Sequence, residues 1–224
     1  MLSLVADRDA IQQNRGLLSD DERARADRFV VPRIRERFTV ARGSLRRLLG
    51  AYSGTAGAEV SFAYGARGKP ALEGRSDVRF NISHAADSAM IAIAMQDVGI
   101  DIESTTRAVD VDGVARKAFS PDECARLAAL APAERRAAFF RIWTRKEAYI
   151  KARGDGFGYP TRSFSVLDAR SAPDALILDE TDATAHFHWR VSGLDVPGAF
   201  CAALASTGRG WSVLRFDLPA VEMC

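Results

Sequence analysis

The sequence has few of the residue types that build disulfide frameworks and zinc sites. Its 224 residues include three cysteines and three histidines, and no Cys-x-x-Cys pair occurs. Cys124, Cys201 and Cys224 are odd in number and widely spaced, so neither a disulfide scaffold nor a zinc site is indicated. We therefore expect a cytoplasmic protein.

Long apolar runs and a strong excess of one charge are also missing. The N-terminal run MLSLVADRDAIQQ meets acidic and polar residues too early for a signal peptide or a membrane span, so we expect no membrane partner. The net charge is +2, and the chain is 47% hydrophobic and 27% charged. This composition agrees with a soluble enzyme that forms one large or two small domains.

One segment departs from this charge balance, because nine arginines lie between Arg23 and Arg47. Phe29 and Phe38 are the only aromatic residues in that segment, and the chain contains no recognisable nucleic-acid-binding motif. A nucleic acid is therefore not the expected partner. A solvated helix surface explains most of these arginines.

Two acidic residues, Asp101 and Glu103, lie in the run VGIDIE, which alternates apolar and acidic side chains. Alternate residues of a strand share a face, so the two carboxylates point the same way. Two like charges held together suit a hard cation such as Mg²⁺. A one-sided antiparallel strand or an edge strand alternates in the same way for purely structural reasons, so this pattern alone leaves both explanations open.

A helix is predicted from Glu134 to Lys151, a stretch without Gly or Pro. Trp143, Glu147 and Lys151 follow one another at i, i+4 and i+8 and therefore share one face of this helix. That face offers a third carboxylate for a metal and an ammonium for a phosphate oxygen. A Glu-Lys pair one turn apart is also common on ordinary solvated helices, and the helix alone does not decide between the two.

Taken in order along the chain, these segments resemble the 4′-phosphopantetheinyl transferases of the surfactin-synthetase-activating type. The likeness rests on GIDIE at 99–103 and WTRKEAYIK at 143–151, and it extends over roughly residues 28–166. Further matches are ARGSLRRLL at 41–49, RGKP at 67–70, NISH at 81–84 and FSPDE at 119–123.

The resemblance implies an activity of the holo-[acyl-carrier-protein] synthase type. The protein would transfer the 4′-phosphopantetheine arm of coenzyme A to a serine hydroxyl of an apo carrier protein and release adenosine 3′,5′-bisphosphate. Mg²⁺, or Mn²⁺ in its place, is the implied metal. The implied partner is an acyl, peptidyl or polyketide carrier with an acidic helix around its serine, from fatty acid, polyketide or nonribosomal peptide biosynthesis. We expect the transferase to be a monomer.

The resemblance also implies roles for the acidic residues and the lysine. Asp101, Glu103 and Glu147 would bind the metal. Glu147 would in addition accept the serine proton, with a metal-bound water or another carboxylate as the alternative acceptor. Lys151 would bind the coenzyme, and it would neutralise or protonate the departing phosphate.

Four further residues would bind coenzyme A. Ser83 and His84, directly before the apolar run AMIAIAM, would contact nucleotide phosphates, and Lys69 would lie against the adenine. Arg42 would meet the 3′-phosphate, because a planar guanidinium binds phosphate in a bidentate manner.

Two more arginines, Arg28 and Arg33, are additional candidates for the 3′-phosphate. The chain differs from the family pattern after the second motif, where GDGF at 154–157 replaces Gly-x-Gly-Leu, a change that bears on carrier fit. It also matches the family poorly before residue 28.

The expected fold is α+β, with two pseudo-symmetric halves and the active site between them. We place the boundary near residue 105, which gives halves at 1–105 and 106–224. Helix-rich sequence is expected at 19–50 and 108–152. AMIAIAM and VGIDIE predict a hairpin. Further strands are predicted for SFAYG, SFSVLDA, ALILDE, HFHWRVSG, AFCAALA and WSVLRFDL.

Two alternatives to the transferase stay open. One is a non-catalytic module of the same fold that binds coenzyme A or a carrier, and such a module would be expected to lose a metal ligand or Lys151. The other is a magnesium-dependent pyrophosphohydrolase, in which water replaces the serine as nucleophile.

Overall fold

A computed structural model describes residues 1–65, 67–75, 77–168, 174–208 and 210–218. Helices and antiparallel strands lie in separate stretches of the chain, so the expected α+β class is confirmed. Cys224 lies outside the described residues. No helix in the described ranges combines the length and apolarity needed to cross a membrane.

Among the described residues, helices fill both helix-rich stretches expected from sequence, and the first and last helices lie outside those stretches. They are α1 (Arg8–Leu17), α2 (Asp20–Asp27), α3 (Pro32–Ser53), α4 (Val111–Ala118), α5 (Pro121–Ala128), α6 (Pro132–Arg153) and α7 (Ala185–His188). Both long helices, α3 and α6, begin with proline and are followed by glycine in the left-handed region, Gly54 at φ 71° and Gly154 at φ 77°. Proline at the start and glycine just past the end are the sequence signals of such helix limits.

Within the described ranges, the strands form three antiparallel sheets. They are β1 (Leu2–Ser3), β2 (Phe62–Tyr64), β3 (Pro70–Leu72), β4 (Arg79–Ala85), β5 (Ser88–Ala94), β6 (Val98–Ser104), β7 (Phe164–Asp168), β8 (Asp174–Asp179), β9 (Trp189–Leu194) and β10 (Phe200–Thr207). One sheet has the order β1-β5-β4, the largest has the order β6-β10-β9-β8-β7, and β2 pairs with β3.

The predicted hairpin between AMIAIAM and VGIDIE is wrong. These runs form β5 and β6, but β5 pairs with β4 on one edge, with Ile82 opposite Ile91, and with β1 on the other. β6 pairs with β10 instead, with Asp101 opposite Ala203, and its other edge faces β4, whose Asn81 and Ser83 side chains accept its backbone N–H groups.

Side chains join β4 to β6 where no backbone ladder does. The Ile100 N–H donates to Asn81 Oδ1 at 2.9 Å, and the Ile102 N–H donates to Ser83 Oγ at 3.4 Å. The two larger sheets therefore meet edge to edge at a seam of side chains. β6 belongs to the sheet of the later strands. The boundary between the two halves near residue 105 stays a prediction.

The close approach of α6 to β6 depends on Gly99. A Cβ at this position would lie 2.2 Å from the Ala148 carbonyl oxygen and 2.3 Å from the Ala152 amide nitrogen. Both alanines are fully buried. The small residues of the two motifs, GIDIE and WTRKEAYIK, thus let the helix backbone rest directly on the strand that carries the acidic residues.

NISH lies inside a strand of its own, β4, and precedes the strand of AMIAIAM as expected, because the chain turns after Ala85 to form β5.

Two of the predicted strands need correction. HFHWRVSG begins with the helical turn α7, so its first residues are not part of a strand. WSVLRFDL makes one bridge, Leu2 to Leu218, because this segment crosses to the N-terminus, where the Met1 amine donates to the Phe216 carbonyl at 3.0 Å.

Candidate active site

The seam between the sheets brings together residues from three elements. β6 supplies Asp101 and Glu103, β4 supplies Ser83, and α6 supplies Glu147 and Lys151. The alternation of β6 and the helical spacing of α6 both hold as expected, and α6 packs over β6. The acidic pair and the Glu-Lys pair, far apart in sequence, therefore face the same region.

Asp101 is the centre of this cluster and is only 4% exposed. The Lys151 ammonium donates to Asp101 Oδ1 at 2.6 Å and to Ser83 Oγ at 3.0 Å. Ser83 Oγ also donates to Asp101 Oδ1, at 2.9 Å. The second oxygen, Asp101 Oδ2, is buried and has no hydrogen-bond partner among the described residues. One oxygen of the carboxylate thus has an ammonium and a hydroxyl as donors, and the other is open to a cation.

Glu103 is bound by two other side chains. The Trp143 indole N–H donates to Glu103 Oε1 at 3.1 Å, and Arg107 Nε lies 3.0 Å from Glu103 Oε2. Trp143 in turn stacks on Phe139 with ring centroids 6.0 Å apart. The indole that shares a helix face with Glu147 and Lys151 therefore orients a carboxylate of the neighbouring strand.

Glu147 lies beside this pair without a side-chain hydrogen bond to any residue that the structure describes. Burial raises its pKa, repulsion from Asp101 and Glu103 raises it further, and the Lys151 ammonium opposes the shift. Burial also raises the pKa of Asp101, against the Lys151 charge, and that of Glu103, against the Arg107 charge. Three partly desolvated carboxyls therefore share too little positive charge.

This donor set fits a divalent cation, because an all-oxygen cluster with an unpartnered buried oxygen suits a hard metal. Among the described residues, no group of three acidic, histidine or cysteine side chains is close enough together to hold a metal ion in the conformation observed. The reason is that Lys151 takes one oxygen of Asp101, while Arg107 and Trp143 hold Glu103. A cation bound to the unpartnered Asp101 Oδ2 would lie close to the Lys151 ammonium on the other oxygen of the same carboxylate, and the two positive charges would repel each other.

Lys69 reaches the seam from the loop between β2 and β3. Its ammonium donates to the Ala152 carbonyl at 2.7 Å and to the Val98 carbonyl at 3.3 Å, and burial lowers its pKa. The neighbouring Arg67 binds Asp155 Oδ1 at 2.5 Å. This loop is thereby fixed to the end of α6 and to the start of β6.

Arg42 lies away from the carboxylate cluster and is held by other side chains. Its Nε binds the buried carboxylate of Glu22, it donates to the Tyr64 hydroxyl at 3.2 Å, and its guanidinium lies over the Phe62 ring at 4.1 Å. Arg46 shares the same carboxylate at 2.5 Å. Contact of Arg42 with a 3′-phosphate stays a prediction.

His84 is exposed near the end of β4, next to Ser83 in sequence but with its side chain on the opposite face of the strand. The turn that follows is fixed to α3, because Arg33 and Arg37 both bind Asp87. Arg28 is exposed at the end of α2.

Sequence reasoning missed a buried ion pair that positions α6. Lys146 Nζ lies 2.7 Å from Glu123 Oε2 and 2.5 Å from the Phe164 carbonyl, and Glu123 is fully buried. Glu123 also forms a capping box with Ser120, and it accepts the Val166 N–H at 2.8 Å. The signal was present in the sequence, since Glu123 lies in FSPDE and Lys146 in WTRKEAYIK, but neither motif indicates that the two side chains pair.

The fold and the cluster define an α+β protein with an acidic, lysine-containing site where two sheets meet. Family models agree with this class: residues 6–96 match the 4′-phosphopantetheinyl transferase N-terminal model, and residues 97–205 match the 4′-phosphopantetheinyl transferase superfamily model. The chain belongs to the 4′-phosphopantetheinyl transferase superfamily.

Similar proteins carry the same description. The chain is 43% identical over 206 residues to the 4′-phosphopantetheinyl transferase HetI of Nostoc sp., which covers 90% of this chain and 83% of that protein. It is 31% identical over 177 residues to the 4′-phosphopantetheinyl transferase psf-1 of Bacillus pumilus, and the match covers 79% of this chain and 75% of that protein. It is 35% identical over 108 residues to the 4′-phosphopantetheinyl transferase Sfp of Bacillus subtilis, and the match covers 48% of this chain and 47% of that protein.

Proposed function

We propose that this protein transfers the 4′-phosphopantetheine arm of coenzyme A to a serine hydroxyl of an apo carrier protein and releases adenosine 3′,5′-bisphosphate. The observation that carries the proposal is the cluster at the seam, in which Asp101 binds Lys151 and Ser83 while the Glu147 side chain has no hydrogen bond to a described residue. Membership of the superfamily supports the reaction type.

Asp101, Glu103 and Glu147 would hold Mg²⁺, which would supply positive charge to the pyrophosphate oxygens as the reaction proceeds. The unpartnered Asp101 Oδ2 and the raised pKa of all three carboxyls support this assignment. Mn²⁺ prefers similar oxygen ligands and would serve in its place.

Glu147 would accept the proton of the carrier serine. The serine oxygen then forms a bond to the β-phosphorus of coenzyme A, and the bond from that phosphorus to the bridging oxygen breaks. The bridging oxygen leaves as part of adenosine 3′,5′-bisphosphate. In the metal-free protein, burial and the neighbouring carboxylates raise the pKa of Glu147, which makes its carboxylate a stronger base.

Lys151 would stabilise the departing phosphate and donate a proton to it. Its ammonium already lies among oxygen acceptors at the seam, and a flexible point charge can move from Asp101 to a phosphate oxygen. Ser83 and His84 on β4, Lys69 beside Ala152, and Arg42 on α3 would bind the nucleotide end of coenzyme A.

The test is intact mass spectrometry of an apo acyl carrier protein incubated with coenzyme A, MgCl₂ and this protein. We expect a mass gain of one phosphopantetheine that requires the metal and is lost in Asp101→Ala. Asp20→Ala is the matched control, because the Asp20 side chain is 98% exposed on α2. Failure to modify acyl, peptidyl and polyketide carriers alike would contradict the proposal.

A further inference from the structure

An exposed apolar corner lies where α2 passes into α3. Val30 is 94% exposed, Val31 51% and Ile34 45%. Arg28 and Arg33 flank these side chains, and we refer to Arg28–Ile34 as the α2–α3 corner. Single exposed apolar residues are ordinary, but several together with arginines beside them are typical of a protein-binding surface.

The corner carries more positive than negative charge. Arg33 binds Asp87 at 2.5 Å, yet its side chain stays 66% exposed. Arg28 is exposed, and within the described residues it forms no ion pair. A partner with acidic residues around an apolar side chain would complement this surface in both charge and shape.

Contacts place the corner next to the candidate active site. Arg33 and Arg37 bind Asp87 in the turn between β4 and β5, four residues after Ser83. At about 3.3 Å per strand residue, Asp87 lies within about 13 Å of Ser83, which itself binds Asp101. An interface of standard size covers about 800 Å² per partner and is about 30 Å across, so a protein bound at the corner would extend over the site.

We propose that the α2–α3 corner is a docking surface for the apo carrier protein. Val30, Val31 and Ile34 receive an apolar side chain of the carrier, and Arg28 and Arg33 pair with acidic residues on its helix. This inference rests on the proposed function, because that function supplies a carrier as the partner.

The experiment compares Val30→Glu with Leu214→Glu, since Leu214 is 79% exposed on the C-terminal segment and provides a matched control. Binding of an apo acyl carrier protein is measured by isothermal titration calorimetry, and transfer is measured separately. We expect Val30→Glu to weaken binding at least about ten-fold and to raise KM for the carrier equally, with kcat unchanged. Leu214→Glu should stay within about two-fold of the parent protein.

The two assays separate docking from transfer. If the parent protein binds the carrier and Val30→Glu does not, the docking surface is supported. If the parent protein also transfers nothing, the proposed function fails and the docking surface stands. Equal binding by the parent protein and Val30→Glu overturns the docking surface, as does a parent protein that binds no carrier. A co-sedimentation assay with anionic phospholipid vesicles gives a further outcome. If Val30→Glu abolishes vesicle binding and leaves carrier binding unchanged, the docking surface is overturned and the corner is assigned to a membrane surface.

Discussion

At the residue scale, the site is marked by carboxylates that lack enough positive charge. Asp101 and Glu103 could be placed on one face from the alternation of VGIDIE, and Glu147 and Lys151 could be placed together from helical spacing. The ion pair between Lys151 and Asp101 could not be predicted in this way, because it depends on how α6 is set over β6. Local patterns determine which face a side chain is on, and tertiary packing determines its partner.

Neutralising Glu147 should stabilise the metal-free protein. Its pKa is raised in the folded state, so the folded protein binds the proton more tightly than the unfolded chain and loses stability as pH rises through the folded pKa. At pH 7 we expect Glu147→Gln to raise Tm by roughly 2–4 °C, which is about 1 kcal/mol for a domain of this size.

This gain in Tm should shrink as pH falls toward 4, where the parent carboxyl is protonated as well. Measurement of Tm between pH 4 and pH 8 checks both the gain at pH 7 and its decrease toward pH 4. Glu73→Gln serves as the control, because Glu73 is exposed and makes no side-chain ion pair with a described residue. A Tm difference that is constant over the whole pH range would show that the charge of Glu147 is not the cause.

Removing the Lys151 ammonium should strengthen metal binding while it stops transfer. The ammonium lies 2.6 Å from Asp101 Oδ1 and therefore competes with a cation for that carboxylate. We expect Lys151→Met to bind Mn²⁺ about ten-fold more tightly, or about 1.4 kcal/mol, as measured by electron paramagnetic resonance of free Mn²⁺. Lys117→Met, at an exposed position of α4, should leave the affinity unchanged. Weaker Mn²⁺ binding in Lys151→Met would mean that the lysine and the metal do not compete.

At the element scale, the site depends on how α6 rests on β6. The helix limits follow from Pro132 and Gly154, and sequence signals predict both. The strand pairing does not follow from sequence, because β6 pairs with β10, a strand from far later in the chain, and not with its neighbour β5. The buried Lys146-Glu123 pair then fixes α6 against α5 and β7.

A side chain at Gly99 should separate α6 from β6. The Cβ of Gly99→Ala would lie 2.2 Å from the Ala148 carbonyl oxygen, which is backbone and cannot rotate away. We expect a loss of about 1–3 kcal/mol of unfolding free energy in urea titration, together with weaker Mn²⁺ binding. Gly16→Ala, on α1 with nothing within 4 Å, should instead be neutral or stabilising by up to about 1 kcal/mol. If Gly99→Ala were as stable as the parent protein, the described contact of α6 with β6 would be wrong.

At the scale of the whole molecule, two sheets meet at a seam of side chains, and the candidate site lies on that seam. Asn81 and Ser83 of β4 take the place of backbone partners for the β6 amides of Ile100 and Ile102. The family models meet between residues 96 and 97, close to the start of β6. The pseudo-symmetry of the halves, the monomeric state and the cytoplasmic location stay predictions.

Removing one of these side-chain hydrogen bonds should weaken the contact between β4 and β6 at the seam. Asn81→Ala leaves the Ile100 N–H without its acceptor, at a cost of about 1–3 kcal/mol. We expect faster hydrogen exchange at Ile100 than in the parent protein, with little change at Phe164 in β7. Gln13→Ala, at an exposed position of α1, should change neither rate. Unchanged exchange at Ile100 would argue against the edge-to-edge contact.

The most direct test of the central claim is chromatographic measurement of adenosine 3′,5′-bisphosphate released from coenzyme A and MgCl₂, with and without an apo carrier protein. A transferase with its site at this seam should release the nucleotide only when the carrier is present, one molecule for each carrier modified, and Glu147→Gln or Asp101→Ala should reduce the release by at least about 100-fold. Release without a carrier would mean that water is the acceptor and the protein is a hydrolase. Binding of coenzyme A without release, with every carrier class tried, would mean that the chain keeps the fold and has no transfer activity.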